Sequence, residues 1–423
     1  VSFSNSARYK SNSYLLGTLE TKGEYKPSFV DYQAFFDWRI TDKLNFSVIG
    51  NISQNIYKFT PSDRTTSFGT LEDVKQFKVY FGGWESDIFR TFFGAASANY
   101  TPNEYHQFTL QASAFRTNED ETYDIMGEYW LDEAGTSGEG GIGGELGVGK
   151  YHEHARNRLK MSVFSLGLRG NTVLGKNKIA YGVSFNHENV YERASEWEQR
   201  DSAGYSLPHY GNGVHMVYNL TSKQDFGSNR VSAFVQDTYR LATELGYFTI
   251  NGGVRLSYWD FNNEFLVSPR ASVGFVPKGN ERFALRFATG LYYQSPFYKE
   301  YRVEKLDEYG NAFIELNKDI KSQRSLHFIL GGDYTFRAHN RPFKLTAEAY
   351  YKNLSNVIPY EIDNLKLVYS GENTSKGFVT GVDFKFFGQF VEGTDSWISF
   401  SLMKTQEDLR GVKVPRPTDQ RYS

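Results

Sequence analysis

The stretch YFTINGGVRLSYW, residues 247–259, carries the pattern that decides the fold. Its side chains alternate between an apolar phase and a polar phase. The apolar phase is Phe248, Ile250, Val254, Leu256 and Tyr258, and the other phase is Thr249, Asn251, Gly253, Arg255 and Ser257. Because successive side chains of a strand point to opposite faces, this stretch predicts a strand with one apolar and one wet side.

The two segments that follow repeat this alternation. They are EFLVSPRASVGFV, residues 264–276, and RFALRFATGLYYQSP, residues 282–296, and both place arginines and glycines in the polar phase. A strand that meets lipid on one face and a polar lumen on the other has this alternation. The sequence therefore predicts an all-β fold, an antiparallel transmembrane β-barrel.

The alternation also predicts which residues lie on each face. The lipid-facing set is Phe248, Val254, Leu256, Val273, Phe283, Phe287, Leu345 and Tyr351. The lumen-facing set is Arg255, Arg270, Arg286, Lys344, Glu348 and Lys352. Of these charged residues, the first five are expected to contact whatever fills the lumen, since a filled lumen makes paired charges useful.

Composition agrees with a membrane barrel. The chain has 423 residues, of which 35 are Phe and 30 are Tyr, and aromatics make up 17%. Mean hydropathy is only −0.53, and the absence of any run of eighteen apolar residues argues against membrane-spanning helices. A soluble β-sandwich or propeller is the alternative, but a propeller repeats its blade motif at a fixed period, which this sequence does not show.

Several function classes are excluded by residue usage. The chain has no cysteine, so disulfide frameworks and cysteine-based zinc or iron–sulfur sites are ruled out. A net charge of −2 gives no basic field for nucleic acid. The first residue is Val1 and the chain stops at PRPTDQRYS, so we interpret residues 1–423 as one barrel domain that is incomplete at both ends.

The connections between predicted strands alternate in length. Short turns are predicted at Thr41, Pro102, Gly175, Leu245, Lys278, Asn340 and Gly393. Long excursions are predicted at about 116–156, 195–228 and 296–320. Short periplasmic turns and long extracellular loops are typical of outer-membrane barrels, and the pattern predicts roughly 15 to 17 strands.

Three motifs invite a chemical interpretation, and each has a simpler one. GELGVGK, residues 144–150, fits the spacing of a phosphate-binding loop, but Tyr151 follows it where Ser or Thr is required, so a flexible loop is favoured. His152 and His154 share a face of an extended chain, and a solvated pair is favoured over a metal site. His327 is expected to make a hydrogen bond in the lumen. No hydrolase or metalloprotease signature occurs, so we predict that the protein is not an enzyme and needs no cofactor.

Segments in the second half of the chain resemble the barrel domain of TonB-dependent outer-membrane receptors, in particular the Bacteroidetes type. They include LVSPRASVGFVP (266–277), RPFKLTAEAYYKNLSNVIPYEIDN (341–364), GFVTGVDFKFFGQFVEGTDSWISFSLMK (377–404) and VPRPTDQRYS (414–423). The resemblance implies a barrel of about 22 strands around a plug. It also implies a location in the outer membrane of a Gram-negative bacterium, and nutrient uptake with energy delivered by TonB.

The expected partners follow from that resemblance. They are outer-membrane lipid, the TonB complex through a plug region outside these 423 residues, an extracellular nutrient and, as an optional further partner, a surface lipoprotein. Siderophore-iron, haem, glycan and peptide stay open as the nutrient, because function lies in loops grafted on a shared barrel. A passive porin or adhesion barrel is the alternative function, and a barrel-type lipase or protease is a third.

Aromatic residues of the long excursions are the candidates for ligand capture. They are Tyr129, Trp130, Trp197, Tyr205, Tyr210, Phe297, Tyr298 and Tyr301. Aromatic rings offer rigid contact area at little cost in rotamer entropy. The alternative is an interfacial girdle, where Tyr and Trp are common. Trp130 and Trp197 rank first because they lie furthest from the predicted strand centres.

Overall fold

The computed structural model describes residues 1–11, 23–69, 74–134, 145–201, 215–363, 366–416 and 419–422. Almost all of these residues are in strands, and one short 3-10 turn, Tyr298–Glu300, interrupts them. No helix in this part of the chain is long and apolar enough to cross a membrane.

The described residues form 22 strands. They are β1 (Ser2–Ser11), β2 (Gly23–Tyr25), β3 (Ser28–Arg39), β4 (Leu44–Pro61), β5 (Arg64–Gly69), β6 (Val74–Asn103), β7 (His106–Ala134), β8 (Glu145–Leu174), β9 (Asn177–Asp201), β10 (His215–Ala242), β11 (Gly246–Trp259), β12 (Glu264–Pro277), β13 (Phe283–Gln294), β14 (Arg302–Leu306), β15 (Ala312–Leu316), β16 (Gln323–Ala338), β17 (Arg341–Val357), β18 (Tyr360–Asp363), β19 (Lys366–Tyr369), β20 (Ser375–Val391), β21 (Thr394–Leu409) and β22 (Val412–Val414).

One continuous wall contains the long strands. It runs β1, β3, β4, β6 to β13, β16, β17, β20 and β21, and each strand is antiparallel to the next. The antiparallel all-β barrel wall predicted from the alternation is confirmed. Within the described residues β1 pairs only with β3, and β21 pairs with β20, with the short β22 and with Tyr422.

The seven short turns are confirmed, each between two consecutive strands of the wall. Their residues supply what tight turns need. Thr41 Oγ1 accepts hydrogen bonds from the N–H groups of Lys43 and Leu44. His339 and Asn340 have φ of 50° and 65°, the left-handed pair that a two-residue hairpin of type I′ requires.

The long excursions predicted at 116–156 and 195–228 were wrong in their boundaries, because the strands on either side extend well into both ranges. Strands β6 and β8 each have 30 residues, and residues 126–134, 145–150, 197–201 and 215–226 belong to strands rather than loops. A tilted strand crosses the lipid in about 9–11 residues. The remaining residues continue the ladder in water, where both faces are wet and apolar alternation is no longer needed.

The strand registers separate two faces throughout the wall. Directly paired residues lie on the same face, and the pairs Ile250–Val273, Val273–Phe287 and Phe287–Leu330 extend one apolar row across four strands. All eight predicted lipid-facing residues fall on this face. Apolar side chains on this face are not covered by other parts of the protein. Leu330, for example, is 58% exposed. We call it the outward face.

The opposite face is concave, which makes it the inward face of the wall. Residues 295–322, between β13 and β16, fold across it as a capping segment. Tyr298 in this segment contacts Glu192 of β9, and Lys299 interacts electrostatically with Glu119 of β7. Strand β15 adds a parallel pairing with β10 between Ala312 and Leu220. One short segment reaches strands this far apart only where the sheet curves around it.

Candidate ligand entrance and lumen wall

The predicted lumen charges form a compact network on the inward face of β13, β16 and β17. Arg286 Nη1 lies 2.8 Å from Asp333 Oδ2, and Arg286 Nη2 lies 3.7 Å from Glu348 Oε2. Lys344 Nζ is 3.5 Å from the same Asp333 oxygen, and Thr346 Oγ1 donates to the other oxygen at 2.7 Å. These charges largely compensate one another within the wall. Asp333, which is the centre of the network, was not among the residues predicted from the alternation.

Three further cations on this face stack on aromatic rings instead. Arg270 lies 4.2 Å from the Tyr292 ring centre, and Arg255 lies 5.4 Å from that of Phe234. Lys352 lies 5.4 Å from the ring centre of Tyr350. In the described part of the chain none of the three makes an ion pair, so their positive charge is available to whatever occupies the lumen.

The capping segment is fixed to the wall by a largely buried polar triad of Tyr298, Glu192 and Arg302. Tyr298 Oη donates a hydrogen bond of 2.6 Å to Glu192 Oε2, and Arg302 Nη2 lies 3.2 Å from Glu192 Oε1. Tyr298 and Glu192 are 3% and 7% exposed. A buried carboxylate is stable only when paired and hydrogen-bonded, and both conditions are met here.

An apolar cluster packs beside this triad and extends the segment's anchor. It contains Val190, Trp259, Tyr298, Tyr301, Ile320 and Ile358. Tyr301 is fully buried, and its ring packs against those of Trp259 and Phe261. Burial, aided by nearby Glu192, raises the pKa of Tyr298, and burial likewise raises the pKa of Tyr301. Both phenols are therefore neutral over any physiological pH.

Glu300 closes the short turn of the capping segment. Its carboxylate accepts hydrogen bonds from the N–H of Phe297 at 3.1 Å and from Gln323 Nε2 at 2.9 Å. Burial raises the pKa of Glu300, and these two hydrogen bonds oppose the shift. Phe297 itself is 45% exposed, so among the three candidates of this segment, Phe297, Tyr298 and Tyr301, it is the one whose ring is open to a ligand.

The structure divides the predicted ligand-capture residues into three groups. Tyr129 and the capping-segment residues Phe297, Tyr298 and Tyr301 lie on the inward side, and the ring centres of Tyr129 and Tyr151 are 6.5 Å apart. Trp130 and Trp197 fall on the outward face, according to the registers of β7, β8 and β9. Both tryptophans therefore lie on the side of the wall away from the lumen. Tyr205 and Tyr210 lie outside the described residues.

Trp197 belongs to a cluster that the sequence indicated only in part. His154 stacks on its ring with 4.9 Å between centres, and His152 meets the same ring edge-on at 4.8 Å. Asp124 of the neighbouring strand lies between the histidines, 2.5 Å from His152 Nε2 and 3.2 Å from His154 Nδ1. The hydrogen bond from His152 lowers the pKa of Asp124.

The glycine-rich motif GELGVGK, residues 144–150, overlaps the start of β8. Residues 145–150 are therefore strand rather than the predicted flexible loop.

Beyond the membrane level, the inward faces of β6 to β9 are acidic. The acids are Glu85, Asp87, Glu119, Glu121, Glu153, Glu188, Glu192, Glu196 and Glu198. Carboxylate oxygens of Glu85, Asp87 and Glu121 lie within 4.8 Å of one another, and an all-oxygen set of this kind suits hard cations. It is the one such group in the described ranges. Cations of the capping segment, Lys299 and Arg302, lie against this wall.

The chain matches one family model and aligns with several solved structures. A family model described as TonB dependent receptor-like, beta-barrel matches residues 31–420. The RagAB peptide importer in the "closed-closed" state aligns with a TM-score of 0.52 and 12% identity, covering 94% of this chain and 50% of that chain. The RagAB peptide transporter aligns with a TM-score of 0.51 and 12% identity, covering 99% and 52%. The outer membrane transporter YddB from Escherichia coli aligns with a TM-score of 0.44 and 11% identity, covering 92% and 58%.

The alignments cover only part of each related protein. The chain spans 58% of the Escherichia coli transporter and about half of the RagAB chains. The RagAB alignments, at 12% identity, show a shared fold and leave the ligand undetermined. A sequence search of curated proteins finds no match.

Proposed function

The chain belongs to the TonB-dependent receptors, as their β-barrel domain, and from this premise we propose that its full-length protein takes up a scarce nutrient. The uptake would cross the outer membrane of a Gram-negative bacterium and draw energy from the TonB complex through the plug region. The nutrient would be siderophore-iron, haem, a glycan or a peptide. A surface lipoprotein is an optional further partner.

The proposal is based on the antiparallel wall and on the capping segment, residues 295–322, that folds across its inward face. The family match covers the wall from residue 31 to residue 420, and the capping segment narrows the concave side at its outer end. A barrel that captures a ligand before moving it needs a shaped outer entrance. A passive porin needs only a wide, hydrated lumen. The capped entrance therefore favours energy-coupled uptake over the porin or adhesion alternative.

The first prediction tests energy coupling. Cells lacking the full-length receptor are complemented with it and supplied with labelled ferric siderophore, haem, oligopeptide or oligosaccharide as the only source of that nutrient. We expect one of these ligands to enter only when the receptor is present, and uptake to stop when the TonB gene is deleted. Uptake that continues at the same rate without TonB would assign the barrel to the passive porins.

The second prediction concerns the stacked cations Arg255 and Arg270. We propose that they contact acidic groups of the plug, because they have no ion pair in the described wall and each charge-assisted hydrogen bond contributes about 1.5–3 kcal/mol. The double change Arg255→Ala, Arg270→Ala should lower uptake and increase entry of large antibiotics at an unchanged surface level. Arg39→Ala, at a short turn, is the matched control. Normal uptake and normal antibiotic exclusion would make these arginines generic pore lining.

A further inference from the structure

The outward face of β6 to β10 changes character just beyond its apolar part. On β8 the outward residues Phe164, Leu166 and Leu168 are 43–47% exposed, which suits contact with lipid. Further along the same strands, the outward side chains are mostly basic. They are Arg90, Arg116, Arg156, Arg158, Lys160, Arg193 and Lys223, and the acids among them in this described region are Asp120, Asp124 and Asp225, of which Asp124 lies 3.6 Å from Arg156. The inward faces of β6 to β9 are acidic at the same level, so on these strands charge is sorted by side.

Three of these cations occupy one cross-strand row. Arg158 is directly opposite Arg193, and Arg193 is directly opposite Lys223. Arg158 Nε lies 2.6 Å from Asp120 Oδ1, and Arg90 Nη1 lies 3.3 Å from the other oxygen of that carboxylate. Asp120 therefore compensates the near end of the row. Arg193 and Lys223 are exposed, and neither forms an ion pair with another described residue.

Like charges directly opposite each other on neighbouring strands destabilise a sheet, because their Cβ atoms are only about 4.5–5.5 Å apart. The repulsion is removed when an anion binds between them. A phosphate group fits this position, since guanidinium groups bind its oxygens with two parallel hydrogen bonds and an ammonium group adds a point charge.

The row also lies at the right height for lipid headgroups. Lys160 and Arg158 are four and six residues beyond Phe164 on β8, roughly 10–15 Å above it for a strand tilted by about 40°. Lys160 Nζ is 5.8 Å from the ring centre of Tyr191, and tyrosine is common at this level of membrane proteins. Basic clusters beside a membrane attract anionic lipids.

We propose that the row Arg158, Arg193 and Lys223, with Lys160 beside it, binds phosphate groups of lipid headgroups in the outer leaflet around the barrel. The proposal rests on the membrane placement of the barrel and is independent of which nutrient is taken up. The bound lipid would neutralise the repulsion within the row and fix the height of β8 to β10 in the membrane.

The test uses the full-length receptor purified in detergent. Diphosphoryl lipid A, the same lipid after phosphatase treatment, and inorganic phosphate are titrated, and binding is followed by native mass spectrometry and thermal unfolding. We expect the diphosphoryl lipid to bind and stabilise the wild-type protein. Arg193→Gln with Lys223→Gln should weaken its apparent affinity roughly tenfold to thirtyfold. Lys178→Gln with Arg240→Gln, at the short-turn ends of β9 and β10, is the control and should bind like the wild type.

Two further outcomes decide the proposal. In lipid-free detergent, the Arg193→Gln, Lys223→Gln protein should unfold at the wild-type temperature or above, because the substitution removes repulsion. A lower unfolding temperature would assign the row a structural role and overturn the proposal. Equal binding of the phosphatase-treated lipid, equal stabilisation by inorganic phosphate, or wild-type affinity in the double variant would also overturn it. Uptake assays are not involved, so failure here leaves the proposed transport function standing.

Discussion

Arginine in place of Ala271 is expected to lower the free energy of unfolding of the full-length barrel by about 2–4 kcal/mol. Ala271 is on the outward face of β12, between Gly252 of β11 and Thr289 of β13. It lies near the middle of the strand, at the depth where lipid surrounds the wall. A charge there loses its hydration and has no partner to replace it.

The matched control is arginine in place of Ala288, which is at a similar depth on β13 but on the inward face. The inward face is polar, so the new charge keeps water or polar groups around it, and the expected cost is below about 1 kcal/mol even with Arg286 on the same face. Urea unfolding of the receptor in lipid vesicles measures both values. Equal costs at the two alanines would contradict the assignment of lipid to the outward face.

Local signals explain why the membrane part of this fold is predictable from sequence. The alternation of Ile250, Val254 and Leu256 with polar neighbours specifies a strand and its two faces, because lipid penalises any error in phase. The short turns are equally local, since residues such as Asn340 supply the backbone conformation of a hairpin within two positions. Neither requires knowledge of distant contacts.

The part of the wall beyond the lipid has no apolar alternation, but its charged residues alternate between the two faces. In YERASEWEQR, residues 191–200, Glu192, Glu196 and Glu198 fall in one phase, while Arg193 and Trp197 fall in the other. This alternation of charge predicts that the strand continues to residue 200, as the structure shows. A search for charge alternation in addition to apolar alternation would have placed Trp197 on a strand and on the outward face.

The capping segment has no comparable signal. Tyr298 and Glu192 are 106 residues apart, and no spacing or periodicity relates them. The aromatic residues around Tyr301 suggested exposed ligand contacts, but the same residues are also those that fill a core. The choice between the two depends on whether the segment folds back onto the wall, which long-range packing decides.

Glu192 is expected to control whether that segment stays docked. In Glu192→Ala, the Arg302 guanidinium and the Tyr298 hydroxyl lose their common partner in a largely buried position. Removing one member of a buried pair is strongly destabilising, and since Arg302 retains 24% side-chain exposure, we expect about 2–3 kcal/mol. The loss should appear as local opening of residues 295–322, because the ladder of the wall does not depend on it.

Hydrogen exchange of the full-length receptor measures this opening, with amide protection across residues 295–322 expected to fall roughly 30- to 150-fold for that free energy. Glu315→Ala is the control on the same segment, since its ion pair with Lys305 is exposed and contributes at most about 1 kcal/mol. Glu192→Leu combined with Arg302→Leu should recover much of the protection, because an apolar pair replaces a buried ion pair at little net cost. If Glu192→Ala leaves protection unchanged, the aromatic cluster alone holds the segment, and the triad has no anchoring role. If Glu192→Ala opens the segment and uptake falls as well, the docked segment is part of the ligand entrance.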